Sequence, residues 1–261
     1  MPSCVAPLIT EVSTMKNENF RKLQEMRMSV FADAYLEQIE HPETYEAMTF
    51  DERLAVMVDR EHDARYNNRV KRLLKKSSLP LMHASVGDIQ YLPERHLDRD
   101  QINRLSTNEF IIKKRNILLM GATGAGKTFL ANAIAVGACW AGYTVLYVRL
   151  PDFFIEYANA AAEHKEFDIL KKYRKPALLV LDEFLLLPAN DAQQRILLEL
   201  LERRFGNVST IFCSQYNEEG WHDQLGGSAI AESILDRITP NSYKITIQGD
   251  VSMRQRLGAD D

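Results

Sequence analysis

The sequence predicts an α/β fold, a parallel sheet with crossover helices, preceded by a small all-α domain. Three observations predict it. Beyond residue 113, short apolar runs alternate with helical stretches, the signature of strand–crossover–strand units. One such run, Asn116–Met120, leads into a glycine-rich loop and then into a breaker-free helical stretch. Before residue 80, by contrast, apolar residues recur only at helical spacing.

In chain order, Phe20, Leu23, Met28, Phe31, Tyr35 and Ile39 predict one helix from Asn17 to Glu40, ended by His41-Pro42 because the residue before proline is pushed out of the α region. Thr49-Phe50-Asp51-Glu52 reads as a capping box that opens a second helix running to about Ser77. Residues 15–79 thus form the helical domain, after a disordered start at 1–14, with Met15 a second candidate start. Residues 80–98 form a linker containing Pro80, Gly87 and Pro93. Within it Ile89, Tyr91 and Leu92 are either a cover for a bound base or a hydrophobic anchor on the larger domain. The α/β domain spans 99–256 and a tail 257–261. It opens with a helix over 99–113 and has further strands at Tyr143–Arg149, Ala177–Leu181, Ser209–Gln215 and Tyr243–Ile247. Intervening helices run to Ala141, over Asp152–Ala162 behind Pro151, and over Gln193–Phe205.

The chain of 261 residues, 46% hydrophobic and 26% charged, is long enough for one large core plus an appendage. A net charge of −4 excludes a uniformly basic surface but leaves room for a local patch. Such a patch exists: Arg65, Arg69, Lys71, Arg72, Lys75 and Lys76 follow one another on the second helix, with no acid between Asp63 and Asp88. The run is either a face that follows a phosphate backbone or a solvated helix end that suits the helix dipole. Cys4, Cys139 and Cys213 lack metal-ligand spacing, and the last two fall in apolar stretches, so buried thiols in a reducing compartment are expected. No signal peptide or membrane-length run is present, so a cytoplasmic location with no membrane contact is expected.

The chemistry is carried by Gly121-Ala122-Thr123-Gly124-Ala125-Gly126-Lys127-Thr128, which fits G-x-x-x-x-G-K-[ST] between a strand and a helix that starts at Phe129. Glycines let backbone N–H groups turn onto phosphate oxygens; Lys127 reaches the β- and γ-phosphates, and the Thr128 hydroxyl ligates Mg²⁺. About fifty residues on, Asp182-Glu183 ends a buried strand, where the first acid holds Mg²⁺ through water and the second polarises an attacking water. Ser214 and Gln215 end the next strand, as a sensor of the terminal phosphate or as plain turn residues.

The order of these motifs resembles the IstB-like ATP-binding proteins, the helper ATPases of insertion-sequence transposition, themselves similar to DnaC-type helicase loaders. The resemblance rests on A-M-T-F-D-E-R-L-A-V-M-V-D-R-E over 47–61, the glycine loop, L-L-V-L-D-E, S-T-I-F-C-S-Q, W-H, I-L-D-R-I and S-M-R, and covers about Asn19 to Arg256. It implies an AAA+ P-loop fold with a five-stranded parallel sheet in the order 5-1-4-3-2, and ATP and Mg²⁺ as cofactors. The implied partners are duplex DNA, a cognate transposase and further copies of the chain. It implies Gly121–Thr128 as Walker A, Phe129 beside it, Asp182-Glu183 as Walker B, Gln215 as sensor 1, Arg237 as an arginine finger acting on a neighbour, and Arg254 as a second sensor. Family members carry two acids, an aromatic and glycine at Walker B, whereas Leu185 stands at the glycine position here. A helicase loader, a small-metabolite kinase and an ATP-binding architectural DNA protein are the rival readings.

Overall fold

Five strands, β1 (Asn116–Met120), β2 (Val145–Arg149), β3 (Leu178–Asp182), β4 (Ser209–Ser214) and β5 (Ser242–Thr246), pair in parallel in the order β2-β3-β4-β1-β5. This is the expected order read from the other edge. The register sets Leu118 beside Phe212, Arg149 beside Asp182 and Met120 beside Thr246. The computed structural model describes residues 18–249 and 253, and the chain divides into two units, Met1–Lys71 and Arg72–Asp261.

The central strands are apolar without alternation because both sheet faces are covered. Ile117, Leu119, Val180, Ile211 and Cys213 belong to one core, shared with α4 (Arg99–Ser106) and α6 (Lys127–Trp140). Leu118, Leu179, Leu181 and Phe212 belong to the other. That core is shared with α7 (Leu150–Ala162), α8 (Glu166–Arg174), α9 (Asp191–Arg204), α10 (Glu218–Gln224) and α11 (Ala229–Ile238). Cys139 and Cys213 are buried free thiols, as expected; Cys4 lies outside the described residues. Ile89 is buried in the first core, which makes it an anchor, with Tyr91 packed partly against the same cluster.

In the first unit, residues 18–25 are helical, followed by α1 (Ser29–Glu40), α2 (Pro42–Tyr45) and α3 (Phe50–Ser77). The single helix expected over Asn17–Glu40 is interrupted at Arg27, whose φ is 60°. Helical spacing persists across the break, so periodicity alone did not reveal it. Arg65 holds this kink. Its Nη2 donates to the Arg27 carbonyl at 2.6 Å and its Nε to Glu61 Oε1 at 2.6 Å, while Glu61 Oε2 accepts the Phe31 N–H at 3.0 Å. The capping box at Thr49 is present: Glu52 Oε2 accepts the Thr49 N–H at 2.7 Å and Thr49 Oγ1 accepts the Glu52 N–H at 3.4 Å.

In the second unit the helix expected over 99–113 is two, α4 and α5 (Glu109–Ile112), split at Asn108 with φ of 62°. Helices α8, α10 and α11 had no counterpart in the sequence reading. Gln215 falls one residue beyond β4.

At the end of α9, Arg204 is 2% exposed and touches no carboxylate among the described residues. Its Nη1 donates to the carbonyls of Tyr173 (2.9 Å), Arg174 (3.2 Å) and Pro176 (3.1 Å), and its Nε to Thr210 Oγ1 (3.0 Å). Burial pulls its pKa down to about 9, which leaves it protonated at neutral pH. The guanidinium thus ties the approach to β3 to the start of β4. Arg204→Ala leaves several buried carbonyls without a donor and should cost at least about 3 kcal/mol. The second unit's Tm should fall by roughly 6–12 °C in calorimetry; an unchanged Tm would show the network to be dispensable.

Candidate nucleotide-binding site

Parallel strands send their C-terminal ends to one edge, and that edge gathers the glycine loop after β1, Asp182 and Glu183 at the end of β3, and Gln215 just after β4. The loop's glycines are there for space. Gly121 has φ of 147°, and a Cβ on it would lie 2.3 Å from the Ile247 carbonyl oxygen. At Gly126 (φ 94°) a Cβ would meet Arg95 Nη2 at 2.8 Å. Gly121 excludes a side chain twice, by conformation and by backbone contact, whereas Gly126 is fixed by its conformation, since the Arg95 side-chain tip could move aside.

Lys127 opens α6 and folds its ammonium back into the loop, where it donates to the carbonyls of Gly121 and Ala122, both at 2.7 Å. Burial lowers its pKa, opposed by Cys213 and Asp182. A desolvated cation held by two neutral carbonyls is poised for an anion, and a phosphate supplies what they do not. Thr128 Oγ1 donates to Asp182 Oδ2 at 2.8 Å. The hydroxyl and the carboxylate expected to hold Mg²⁺ therefore stand side by side, an all-oxygen pair of the kind that cation takes. Phe129, the residue after Thr128, is half-buried and packs against the first core.

Three residues that sequence reasoning missed complete this edge. Tyr147, on β2, donates its hydroxyl to Asp182 Oδ2 at 2.8 Å, and burial followed by the Asp182 charge pushes its pKa up, so it remains a donor. Arg149, the last residue of β2, donates to Glu183 Oε2 at 2.7 Å, and that hydrogen bond raises its pKa. Both are reachable only through the β2–β3 register. Arg95, from the linker, is buried against the loop, its Nη2 2.9 Å from the Ala125 carbonyl and its Nη1 2.6 Å from that of Gln90.

Glu183 and Leu185 both have φ of 51°, the left-handed region that costs a residue with a side chain of order 1 kcal/mol. Leu185 thus takes the conformation that glycine would adopt, and its side chain is buried at 1% exposure. The turn is held from behind: Phe184 N–H donates to the Cys213 carbonyl at 2.8 Å, and Ser214 Oγ donates to the Phe184 carbonyl at 2.7 Å while accepting Trp221 Nε1 at 2.8 Å. Phe184, Phe212 and Trp221 pack edge to face, Phe184 lying 4.8 Å and 5.0 Å from the other two. Ser214 is consumed by this brace, whereas Gln215 is exposed beside the loop.

Two expected site residues are not gathered here. Arg237 sits in the last turn of α11, just before β5, and so at the opposite end of the sheet. Its Nη1 donates to the Ser233 carbonyl at 2.7 Å and its Nε pairs with Glu202. Arg254 lies outside the described residues; its neighbour Met253 donates its N–H to the Gly124 carbonyl at 2.9 Å, so the chain returns to the glycine loop at that point.

Tyr147 positions a candidate metal ligand without touching the metal itself, and loss of such a partner typically weakens a site by 10- to 100-fold. Tyr147→Phe should keep the fold, since only the hydroxyl is lost, and raise the Mg²⁺ concentration needed for half-maximal nucleotide binding about tenfold. Titration of Mg²⁺ against a fluorescent ATP analogue reads this out, and a wild-type midpoint would exclude the role.

Comparison with known proteins places the chain. The IstB-like ATP binding protein family matches residues 21–259. Relatives include an insertion-sequence ATP-binding protein of Sinorhizobium fredii, 33% identical over 90% of this chain and 95% of the relative. The insertion sequence IS21 ATP-binding protein of Pseudomonas aeruginosa is 27% identical over 88% of this chain and 84% of the relative. Among solved structures, AMPPCP-bound DnaA from Aquifex aeolicus aligns with a TM-score of 0.56 at 18% identity, over 70% of this chain and 56% of that one. DnaI aligns at 0.53 and 22% identity over 66% of this chain and 96% of that one. At such identities the structures speak for the AAA+ P-loop fold alone. Sequence, fold and site together make this chain a member of the IstB-like ATP binding protein family.

Proposed function

We propose that the chain is an ATP-dependent DNA-binding regulator of transposition: it assembles on duplex DNA, presents that assembly to a transposase, and comes apart when ATP is hydrolysed. The observation that carries this reading is the split of the catalytic groups between the two ends of the sheet. Lys127, Thr128, Asp182 and Glu183 occupy one end and Arg237 the other, so a chain holds nearly everything hydrolysis requires except the last cation. A strand of five residues spans about 17 Å, more than an arginine side chain can bridge. Arg237 can therefore act only on a nucleotide held by another copy. The relatives' descriptions as insertion-sequence ATP-binding proteins supply the transposition context.

In this mechanism the loop N–H groups and Lys127 hold the β- and γ-phosphates, while Thr128 and Asp182 hold Mg²⁺, which offsets phosphate charge. Glu183, released from Arg149, takes a proton from a water as its oxygen attacks the γ-phosphorus and the bond to the β–γ bridging oxygen breaks. Gln215 lies where it can orient that water or register the γ-phosphate. Arg237, released from Glu202, offsets the charge that develops on a neighbour's γ-phosphate. Arg254 is a second sensor in this reading, on the strength of the Met253 contact with the loop.

DNA is assigned to the exposed bases of α3. Arg65 is held by Glu61 and the Arg27 carbonyl, and the surface is assigned to Arg69, Lys71, Arg72, Lys75 and Lys76 on the ground that all five are exposed.

Lys127→Ala should abolish ATP binding. Glu183→Gln should retain binding, lose about 10²-fold or more in turnover and leave assemblies on DNA that do not dissociate. Wild-type turnover in the Gln variant would remove Glu183 from its role. Five phosphate contacts give a log–log salt slope of about −4.5 per protomer, hence about 500-fold weaker DNA binding at 200 mM than at 50 mM salt. Reversing Arg69, Arg72 and Lys75 to glutamate should eliminate DNA binding while sparing ATP binding; unchanged affinity in fluorescence anisotropy would move the DNA surface elsewhere.

A further inference from the structure

A small cleft opens at the end of the sheet away from the glycine loop. Lys114, in the turn before β1, the buried Arg204 at the end of α9, and Arg237 and Asn241, on either side of the turn into β5, all line it. Among the described residues no acid lines it. Arg204 is a buried guanidinium bound only to neutral acceptors, so its charge has no counter-ion within the described residues. Arg237 has one, Glu202, a half-exposed carboxylate on the rim side of the pair.

Lys114 stands apart in its own basic run. Lys113 pairs with Glu109 at 2.6 Å, and Arg115 stacks 5.6 Å from the Tyr243 ring centroid. Lys114 is exposed, and among the described residues no carboxylate meets it. Its backbone is left-handed, with φ of 54°, an uncommon state for a lysine, and this turn ends α5 with the Lys114 N–H on the Ile111 carbonyl at 3.1 Å. Three cations against one peripheral carboxylate, in a chain that is acidic overall, make the cleft a receptor for an anion.

We infer that this cleft receives the terminal phosphate of a nucleotide seated in a second copy of the chain, and that Lys114 acts there as a second cation beside Arg237. The inference rests on the reading that Arg237 works in trans. Shape and charge favour this occupant over a DNA backbone. A terminal phosphate is compact and carries about two negative charges, which suits a small cleft lined by several cations. A duplex presents singly charged phosphodiesters on a convex surface, which suits an exposed helix face. A phosphate bound between Lys114 and Arg237 also displaces Glu202 from Arg237, exchanging a carboxylate for a stronger anion.

The test is steady-state ATP hydrolysis by the full chain with duplex DNA present, at concentrations where it assembles. Nucleotide binding and DNA binding are measured in parallel on Lys114→Ala, Lys114→Arg and Arg237→Ala. Lys114→Ala should bind nucleotide and DNA as the wild type does but turn over about 10²-fold more slowly, with Lys114→Arg recovering most of the rate. Mixed with Lys127→Ala, which keeps an intact cleft, Lys114→Ala should regain activity. Mixed with Arg237→Ala it should not, because every interface then lacks one of the two cations. Wild-type turnover in Lys114→Ala, with Arg237→Ala impaired, overturns the inference and leaves the arginine finger standing. Wild-type turnover in both variants overturns the trans reading itself. Failure of Lys127→Ala to rescue Lys114→Ala, or loss of DNA binding with turnover intact, also overturns the inference, the latter by assigning the cleft to DNA.

Discussion

The Asp182 carboxylate is the joint on which this molecule turns. It accepts hydrogen bonds from Thr128 on α6, from Tyr147 on β2 and from the Glu183 N–H. One side chain thus connects the helix that follows the glycine loop, the edge strand and the turn carrying the second acid. An almost fully buried carboxylate is costly unless its lone pairs are met, and here three donors from three elements meet them. The β2–β3 and β3–β4 registers are what bring those donors within 2.8 Å, so a slip by one residue would break the joint and turn every side chain of the strand to the wrong face.

The turn beyond Asp182 shows how such a joint is kept in place. Two departures into the left-handed region within three residues, at Glu183 and Leu185, require compensation. It comes from buried Leu185, from the Phe184–Phe212–Trp221 cluster and from the Ser214 hydroxyl that links Phe184 to Trp221. A glycine at 185 would relax the backbone but would forfeit a buried leucine, a trade worth about 1 kcal/mol against 1.5–3. The departure from the family's glycine is therefore stabilised by packing, and the acid at 183 keeps its place at the sheet edge. Arg149, the register partner of Asp182 across the strand pair, holds the Glu183 carboxylate through its hydrogen bond.

A parallel sheet has two unlike ends, and this chain uses both. One carries the phosphate loop and the paired acids, the other a positive cleft containing Arg204 and Arg237. Because the two cannot meet within one chain, any chemistry that requires both is tied to assembly. In the proposed mechanism that separation is what would make hydrolysis report on neighbouring copies. The ion pairs Arg149–Glu183 and Arg237–Glu202 hold one exposed charge at each end of the sheet.

Much of this was legible in the amino-acid sequence. Apolar runs without alternation dictate strands buried on both faces, and a glycine loop between strand and helix dictates a phosphate cradle, because these depend on local sterics and on which residues water rejects. The capping box at Thr49 was readable for the same reason: it is a short-range pattern with one physical use. Tertiary structure decided what depends on long-range pairing. The kink at Arg27 is held by Arg65, thirty-eight residues away, and helical spacing runs through it unbroken. Tyr147 and Arg149 became site residues only through the strand register. Arg95 reached the loop only because the linker folds back on it, and Lys114, Arg204 and Arg237 share a cleft only because three parallel strands begin at one edge. Spacing along the chain records local geometry, whereas the distance between remote charges exists only once the sheet has formed.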